Sequence, residues 1–114
     1  MSDDIFNKII AREIPAEIVF ETDSILAFRD IDPQAPTHIL IIPKRRIPTL
    51  NDLTAADATL VGEMVLAARE IAAREGLGED GYRLVFNCNR HGGQSVYHIH
   101  LHLMGGRQLT WPPG

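Results

Sequence analysis

The sequence contains the stretch Tyr97-His98-Ile99-His100-Leu101-His102-Leu103-Met104, in which histidine alternates with large apolar residues. Successive side chains of a β-strand point to opposite faces of the sheet. A strand over residues 96–104 therefore places the three histidines on one face and the aliphatic residues on the other. The aliphatic row can pack under a helix, which leaves the imidazole row to line an opening. This stretch predicts both a strand of the sheet and a functional site.

The imidazole row is poorly suited to filling a core, because each ring needs hydrogen-bond partners and is hard to charge in an apolar interior. The plainer interpretation is a strand face exposed to solvent that happens to carry histidine. Exposed strand faces more often carry Thr, Lys or Glu, so we expect the row to act on a ligand.

A metal site is one alternative for this row. Residues on the same face of a strand lie about 6.6 to 6.8 Å apart, so the Cα atoms of His98 and His102 are about 13 Å apart. Zinc needs its nitrogen ligands about 2.0 to 2.1 Å from one centre. Two adjacent histidines can share a metal, but a third ligand such as His38 has to come from elsewhere. No Asp or Glu lies between Asp80 and the C-terminal residue.

We favour an interpretation in which the three histidines perform different tasks on one phosphate. A neutral imidazole is a competent nucleophile, and its ordinary pKa of about 6.5 leaves it largely uncharged at neutral pH. Attack on phosphorus gives a phosphoryl imidazolium, which water can then hydrolyse. A neighbouring imidazole can donate a proton to the leaving group or hold the phosphate oxygens. Because His100 has a helper on each side, it is our candidate nucleophile.

The first half of the chain predicts a short helix followed by three strands. Ser2 or Asp3 can cap a helix over residues 4–12, whose apolar stripe includes Ile5, Phe6 and Ile9. Residues 17–21 and 24–30 predict a hairpin with a tight turn between them. Residues 38–42 hold consecutive large apolar side chains, which is typical of a strand buried on both faces.

The second half predicts one long helix and two more strands. Thr54 and Asp57 form a capping box for a helix that continues to Gly76. Residues 82–88 alternate as a strand, residues 90–93 form a loop, and residues 105–114 form a tail. The order predicts an α+β fold with a mainly antiparallel five-stranded sheet, one long helix and one short helix.

Composition narrows the class of protein. The chain has 114 residues, 45% of them apolar and 23% charged, which predicts a single domain over residues 1–114. Its net charge of -4 provides no global positive field for nucleic acid. Cys88 is the only cysteine, and the sequence has neither a signal peptide pattern nor a membrane-spanning run, so we expect no membrane association and a cytoplasmic protein.

Residues 98–104 match the histidine triad motif, His-φ-His-φ-His-φ-φ with φ apolar, at every position. The chain therefore resembles the histidine triad (HIT) superfamily. Three further segments resemble its Hint branch: Asp30-Ile31-Asp32-Pro33-Gln34-Ala35-Pro36-Thr37-His38, Gly92-Gly93-Gln94-Ser95-Val96-Tyr97, and Gly105-Gly106-Arg107-Gln108 with the terminal Trp111-Pro112-Pro113-Gly114. With the N-terminal pattern, the resemblance covers nearly the whole chain.

The resemblance implies a homodimer in which two half-sheets join into one continuous sheet, with one active site per subunit. It implies hydrolysis of nucleoside 5'-phosphoramidates of AMP or GMP through a nucleotidyl-histidine, without metal or cofactor. By position, His100 is the nucleophile, His102 and Ser95 contact the phosphate or leaving group, and His98 and His38 tune and orient the nucleophile.

The resemblance also implies a set of substrate-binding residues. Asn87 contacts phosphate, Asp30 takes the ribose hydroxyls, Gln94 belongs to the substrate-binding set, and the tail bearing Trp111 reaches the partner's site. The wall of the base pocket is assigned to Ile5, Phe6, Ile9, Phe28, Ile31 and Leu40.

Several of these residues have plainer roles open to them. Asp30 can cap the turn at Pro33, and the wall residues can be ordinary core. Lys44-Arg45-Arg46 is interpreted as a solvated charge cluster that can attract anionic substrates. The chain departs from the Hint pattern in a more basic loop at residues 88–91 and in Arg46, where a histidine is common.

Other functions also remain open. Hydrolysis of a dinucleoside polyphosphate belongs to a branch that generally lacks the Trp-Pro-Pro-Gly tail. A non-catalytic nucleotide-binding module would use the histidines only to grip phosphate. A zinc hydrolase is the fourth hypothesis.

Overall fold

A computed structural model describes residues 4–114 and has the expected α+β fold. Its elements are α1 (Ile5–Ile10), β1 (Ile18–Glu21), β2 (Ile25–Arg29), β3 (Thr37–Pro43), α2 (Ala58–Arg74), β4 (Tyr82–Phe86), α3 (Asn89–Gly92) and β5 (Leu101–Gly105), with short 3-10 helices at Leu50–Asp52 and Ala55–Asp57. The strands form one antiparallel five-stranded sheet in the order β1-β2-β3-β5-β4. The predicted fold class is confirmed.

Strand β3 lies at the centre of the sheet and is buried on both faces, as its unbroken apolar run predicted. Ile39 and Ile41 belong to the cluster that packs under α2. Leu40 and Ile42 belong to a second cluster on the opposite face, where α1 contributes Phe6. This sheet therefore separates a purely apolar layer under α2 from a second layer under α1.

Helix α1 is capped by Asp4, whose carboxylate accepts a hydrogen bond from the backbone N–H of Asn7 at 2.7 Å. The predicted caps, Ser2 and Asp3, lie outside the described residues. The helix ends at Ile10, two residues earlier than predicted. Asp4 thus occupies the N-cap position that the sequence pattern assigned to Ser2 or Asp3.

Helix α2 begins from the predicted capping box. The Thr54 backbone N–H donates to the Asp57 carboxylate at 2.9 Å, and a 3-10 turn over Ala55–Asp57 leads directly into the helix. The helix ends at Arg74, and Gly76 has a φ of +76°, a conformation that glycine adopts without strain.

The predicted strand over residues 96–104 is wrong in its first half, because the ladder of β5 begins at Leu101. If the pairing with β3 continued in the same register beyond Ile41 and Leu101, Pro43 would lie opposite Ile99. Pro43 has no N–H to contribute, and the Ile99 N–H donates to the Ile47 carbonyl instead, at 2.8 Å.

Two smaller corrections concern the neighbouring segments. The predicted loop at residues 90–93 contains the short helix α3, and Gly105 belongs to β5 rather than to the tail.

No helix within residues 4–114 combines the length and the apolarity required to cross a bilayer.

The basic run Lys44-Arg45-Arg46 is not simply solvated, which corrects its interpretation from sequence. Lys44 pairs with Glu21 at 2.8 Å, Arg45 with Asp57, and Arg46 with Asp4 at 2.9 Å. Each cation is therefore already matched by a carboxylate brought from another part of the chain.

Candidate active site

The side chains of His98, His100 and His102 lie on one face of the sheet although only the last is in the β5 ladder. Ring centroids of His100 and His102 are 5.0 Å apart, and the Phe6 ring lies 5.8 Å from His98 and 5.0 Å from His100. The intervening Ile99 and Leu101 enter the opposite cluster under α2. Alternation thus persists through the irregular backbone before β5.

His100 is held with one ring nitrogen facing inward. Its Nδ1 lies 2.8 Å from the His98 carbonyl oxygen. Because a carbonyl oxygen can only accept, Nδ1 carries the proton, and in the neutral ring Nε2 keeps its lone pair. Burial lowers the pKa of His100, so the ring is neutral at physiological pH. The residue is therefore arranged as a nucleophile through Nε2.

A chain of hydrogen bonds sets the tautomer of His102. The backbone N–H of Gln34 donates to His38 Nδ1 at 3.0 Å, so the proton of neutral His38 lies on Nε2. His38 Nε2 then donates to His102 Nδ1 at 2.9 Å, which places the His102 proton on its own Nε2. That Nε2 is a buried polar atom with no hydrogen-bond partner among the described residues. His102 therefore presents an unsatisfied N–H donor beside His100.

Burial also keeps His38 and His102 uncharged. It lowers the pKa of His102 to about 4, with further lowering by His100 and His38, and it lowers the pKa of His38 against the opposing effect of Asp30. An uncharged cluster suits an anionic substrate whose charge is to be met by directed N–H groups rather than by free cations.

These lowered pKa values predict that acid destabilises the fold. Unfolded histidines bind protons from about pH 6.5 downward, whereas His102 in the native protein resists protonation until about pH 4. The unfolded state therefore binds more protons between these values, so the free energy of unfolding falls as the pH drops through this window. Urea unfolding at pH 7, 6 and 5 measures the loss. His102→Gln is expected to make it shallower, and His91→Ala, at an exposed position, leaves it unchanged. A stability that is flat from pH 7 to 5 contradicts the assignment.

His98 is the deepest member of the triad and is 0% exposed. Its Nε2 donates to the Pro43 carbonyl oxygen at 2.7 Å, and its Nδ1 lies 3.3 Å from Asp4 Oδ2. Sequence reasoning missed Asp4 as a site residue, and no local signal connects it to a histidine 94 positions away. His98 is thus a buried anchor rather than a group that a ligand can reach.

Ser95 and Asn87 are the two polar residues that the resemblance assigns to the phosphate. Ser95 is exposed, and Asn87 is half-buried just beyond β4. The β4–β5 ladder ends at the pair Phe86 and Leu101, so Asn87 lies one residue beyond it.

Gln94 is occupied within the protein. Its Oε1 accepts from the Asn89 N–H at 2.9 Å, and its Nε2 donates to the carbonyls of Pro48 and Val96 at 2.7 and 3.0 Å. Both N–H donors of the amide are hydrogen-bonded within the protein. Gln94 therefore holds the loop that carries Ser95 rather than offering a free donor to a ligand.

Asp30 has the turn-capping role considered from sequence and also faces His38. Its Oδ1 accepts from the Asp32 N–H at 2.8 Å and so caps the turn, while its Oδ2 lies 3.6 Å from His38 Nε2. Asp30, His38 and His102 each offer one ligand atom, and these atoms lie within 4.8 Å of one another. Two histidines and one carboxylate form a donor set that zinc accepts, which the triad histidines alone do not supply.

The expected pocket wall divides into buried and exposed residues. Phe6, Ile9, Phe28 and Leu40 are 3 to 6% exposed and belong to the cluster under α1, whereas Ile5 is 46% exposed and Ile31 is 92% exposed. Trp111 is 80% exposed. Two cavities of about 600 and 340 Å³ have lining residues that include Leu77 and Arg107 in the first and Arg12 and Pro15 in the second, and neither is lined by a triad histidine.

An imidazole row on an antiparallel α+β sheet defines a histidine triad protein. Residues 11–109 match the HIT domain family, and the chain belongs to it. It is 62% identical over 105 residues to the purine nucleoside phosphoramidase of Escherichia coli (strain K12), covering 92% of this chain and 88% of that protein.

Solved structures agree with this membership. The HIT family hydrolase from Legionella pneumophila Philadelphia 1 is 61% identical with a TM-score of 0.96, over 98% of this chain and 100% of that chain. A histidine triad protein from Clostridium difficile is 38% identical with a TM-score of 0.92, over 96% of each chain.

Proposed function

We propose that the protein is a hydrolase that cleaves the phosphorus–nitrogen bond of purine nucleoside 5'-phosphoramidates through a nucleotidyl-His100 intermediate. The observation that carries this proposal is the paired arrangement of His100 and His102. One ring keeps a lone pair on Nε2, and the other presents an unpartnered N–H on Nε2. A nucleophile and a hydrogen-bond donor therefore lie side by side, and the phosphoramidase of E. coli is a close relative in sequence.

In the first step, His100 Nε2 forms a bond to the α-phosphorus and the phosphorus–nitrogen bond to the amine breaks. The electron pair of that bond leaves with the amine nitrogen, which takes a proton from water, while neutral His102 keeps its proton and donates its Nε2–H as a hydrogen bond to a phosphate oxygen. The His98 carbonyl accepts from His100 Nδ1–H and so stabilises the positive charge that the ring acquires.

In the second step, water attacks phosphorus and the bond to His100 breaks. The ring nitrogen regains its lone pair, the proton lost by the attacking water replaces the one given to the amine in the first step, and AMP or GMP leaves. Because His38 donates to His102 Nδ1, His102 keeps its own proton on Nε2 through both steps. The site needs no metal for either step.

The remaining residues bind the substrate in this proposal. We assign Ser95 and Asn87 to the phosphate and Asp30 Oδ2 to the ribose hydroxyls. The base is assigned to the wall residues, of which Ile5 and Ile31 have exposed side chains and Phe6, Ile9, Phe28 and Leu40 are largely buried.

The direct test is turnover of adenosine 5'-phosphoramidate by the purified protein. We expect release of AMP and ammonia in the presence of EDTA, because histidine performs both steps. Rapid-quench mass spectrometry during turnover is expected to find one AMP group on His100. Absence of the adduct under conditions where turnover is fast contradicts the covalent mechanism.

The same assay separates the alternatives. A dinucleoside polyphosphate hydrolase would turn over diadenosine polyphosphates faster than the phosphoramidate. A nucleotide-binding module would bind AMP in calorimetry but show no turnover and no adduct. A zinc hydrolase using Asp30, His38 and His102 would lose its rate in EDTA and recover it with added zinc.

We further propose that the protein works in the cytoplasm as a homodimer. Two exposed apolar side chains on α2, Val65 (41%) and Leu66 (59%), and the edge strand β4 support a second copy that extends the sheet. The tail bearing Trp111 would then reach the partner's site. Sedimentation equilibrium at micromolar concentration measures the dimer, and a purely monomeric protein contradicts it.

A further inference from the structure

The position of helix α1 depends on its contacts with the rest of the protein. The helix has six residues, and helices this short are marginal in water without tertiary contacts. Its apolar contacts come from Phe6 and Ile9, which are buried in the same cluster as Phe28. Apolar burial is not directional, so it determines how deeply the helix packs better than where the helix starts. Polar contacts at the ends of the helix are therefore needed to fix its position on the sheet.

The start of α1 is held by one carboxylate, that of Asp4. Its Oδ1 accepts from the Asn7 N–H at 2.7 Å as the helix cap. Its Oδ2 accepts from Arg46 Nε at 2.9 Å and lies 3.3 Å from His98 Nδ1. Arg46 follows Pro43, the last residue of β3, after a short interval of chain. The ion pair therefore joins the start of the helix to the central strand of the sheet.

The Arg46–Asp4 pair is better shielded from water than the ion pair beyond the other end of the helix. Its side chains are 26% and 12% exposed. Arg12, just beyond α1, pairs with Glu21 at 2.7 Å, and those side chains are 49% and 38% exposed. Exposed ion pairs contribute little because solvent and salt screen them. The polar anchoring of α1 therefore depends chiefly on Arg46.

We propose that Arg46 is a positioning residue for nucleotide binding, which acts through Asp4 to hold α1 where Ile5, Phe6 and Ile9 form part of the wall of the base site. This role rests on the proposed function, which assigns those three side chains to the base. Arg46 contacts Asp4, and Asp4 caps the helix that carries the wall. Removing the Arg46 charge is therefore expected to weaken nucleoside binding without touching the nucleotide directly.

The contacts that hold the nucleophile do not use Arg46. His100 Nδ1 lies 2.8 Å from the His98 carbonyl oxygen, and His98 Nε2 lies 2.7 Å from the Pro43 carbonyl oxygen. Both contacts join the triad segment to backbone oxygens. Without the Arg46 charge, we expect the base site to loosen while His100 stays in place. The effect should therefore fall on KM and leave kcat largely unchanged.

The test compares two substitutions of Arg46. Arg46→Gln removes the charge, and KM for adenosine 5'-phosphoramidate is expected to rise about five- to tenfold with kcat within about twofold of wild type. Arg46→Lys keeps a cation for Asp4 and is expected to keep KM within about twofold, because the contact is made through Nε rather than through a bidentate fork. A general loss of stability would produce neither the split between KM and kcat nor the rescue by lysine.

Arg45→Gln is the matched control. Arg45 pairs with Asp57 at the start of α2, so this variant makes the same change at the neighbouring residue and at a different helix. Its KM is expected to stay within about twofold of wild type. An equal rise in KM in Arg45→Gln overturns the proposal.

A double variant tests whether Arg46 acts through Asp4. Asn caps a helix about as well as Asp, so Asp4→Asn removes the charge and keeps the cap of α1. In that background Arg46→Gln should raise KM no further, because the partner of the guanidinium is already gone. A full additional rise in the double variant overturns the proposal.

Two readouts on the free protein do not depend on turnover. Calorimetry is expected to show that Arg46→Gln lowers the affinity for adenosine and for AMP by the same factor. Hydrogen exchange is expected to become faster at the Lys8 and Ala11 amides, which are bonded to Asp4 and Asn7 carbonyls at 3.2 and 3.0 Å. Unchanged nucleoside affinity in a folded Arg46→Gln protein, or a lower affinity without faster exchange in α1, overturns the proposal. Absence of phosphoramidate turnover in the wild type, together with the expected binding and exchange results, instead overturns the proposed function alone.

Discussion

Replacing His100 with alanine is expected to reduce the rate of phosphoramidate turnover by on the order of 10⁴-fold or more, the scale on which loss of a covalent nucleophile acts. The variant lacks a ring whose Nδ1 proton is bound to a backbone carbonyl, which leaves Nε2 to react. No AMP adduct should form, and AMP binding should survive because the other contacts remain. Steady-state kinetics, mass spectrometry and calorimetry measure these three properties.

His91→Ala is the matched control for this variant. His91 lies in α3, is exposed and is outside the proposed machinery, so the same substitution there should leave the rate within about twofold of wild type. Circular dichroism and urea unfolding establish that both variants are folded. A folded His100→Ala protein that keeps most of its rate means that His100 is not the nucleophile.

The second large effect is on stability and comes from the centre of the sheet. Ile41 is 0% exposed and pairs with Ala27 on one side and Leu101 on the other. Ile41→Ala is expected to lower the free energy of unfolding by about 2 to 5 kcal/mol, because it removes buried methyl groups and leaves a cavity. A domain of this kind is stable by only about 5 to 15 kcal/mol, so the urea midpoint should fall sharply.

Ile31→Ala makes the same chemical change at a side chain that is 92% exposed. Its free energy of unfolding should change by no more than about 0.5 kcal/mol. Since Ile31 borders the proposed base site, the Ile31→Ala variant should have a higher KM for the nucleotide. The Ile41→Ala variant should keep the KM of wild type under conditions where it is folded. An equal loss of stability in both variants contradicts the described burial.

Local patterns predicted most of the secondary structure. The capping box at Thr54 and Asp57, the apolar run of β3 and the alternation around the histidines each depend on a few neighbouring residues, and each agrees with the structure. The errors lie where a distant segment intervenes. The ladder of β5 does not extend before Leu101, because Pro43 has no N–H to pair and the Ile99 N–H donates to the Ile47 carbonyl.

The roles of single polar side chains were harder to predict. Gln94 resembles a substrate contact in its motif, yet its amide is committed to Asn89, Pro48 and Val96. Asp30 caps a turn with one oxygen and faces His38 Nε2 with the other, at 3.6 Å. Such assignments depend on which atoms are already satisfied, and that is a property of packing.

The sequence by itself determined that three imidazoles share a face of an antiparallel sheet, because side-chain alternation is a local property of extended backbone. Only the tertiary structure decided which ring nitrogens carry protons. The His38–His102 and Asp4–His98 contacts join residues 64 and 94 positions apart, and a hydrogen bond forms only where folding brings a donor to an acceptor at about 3 Å.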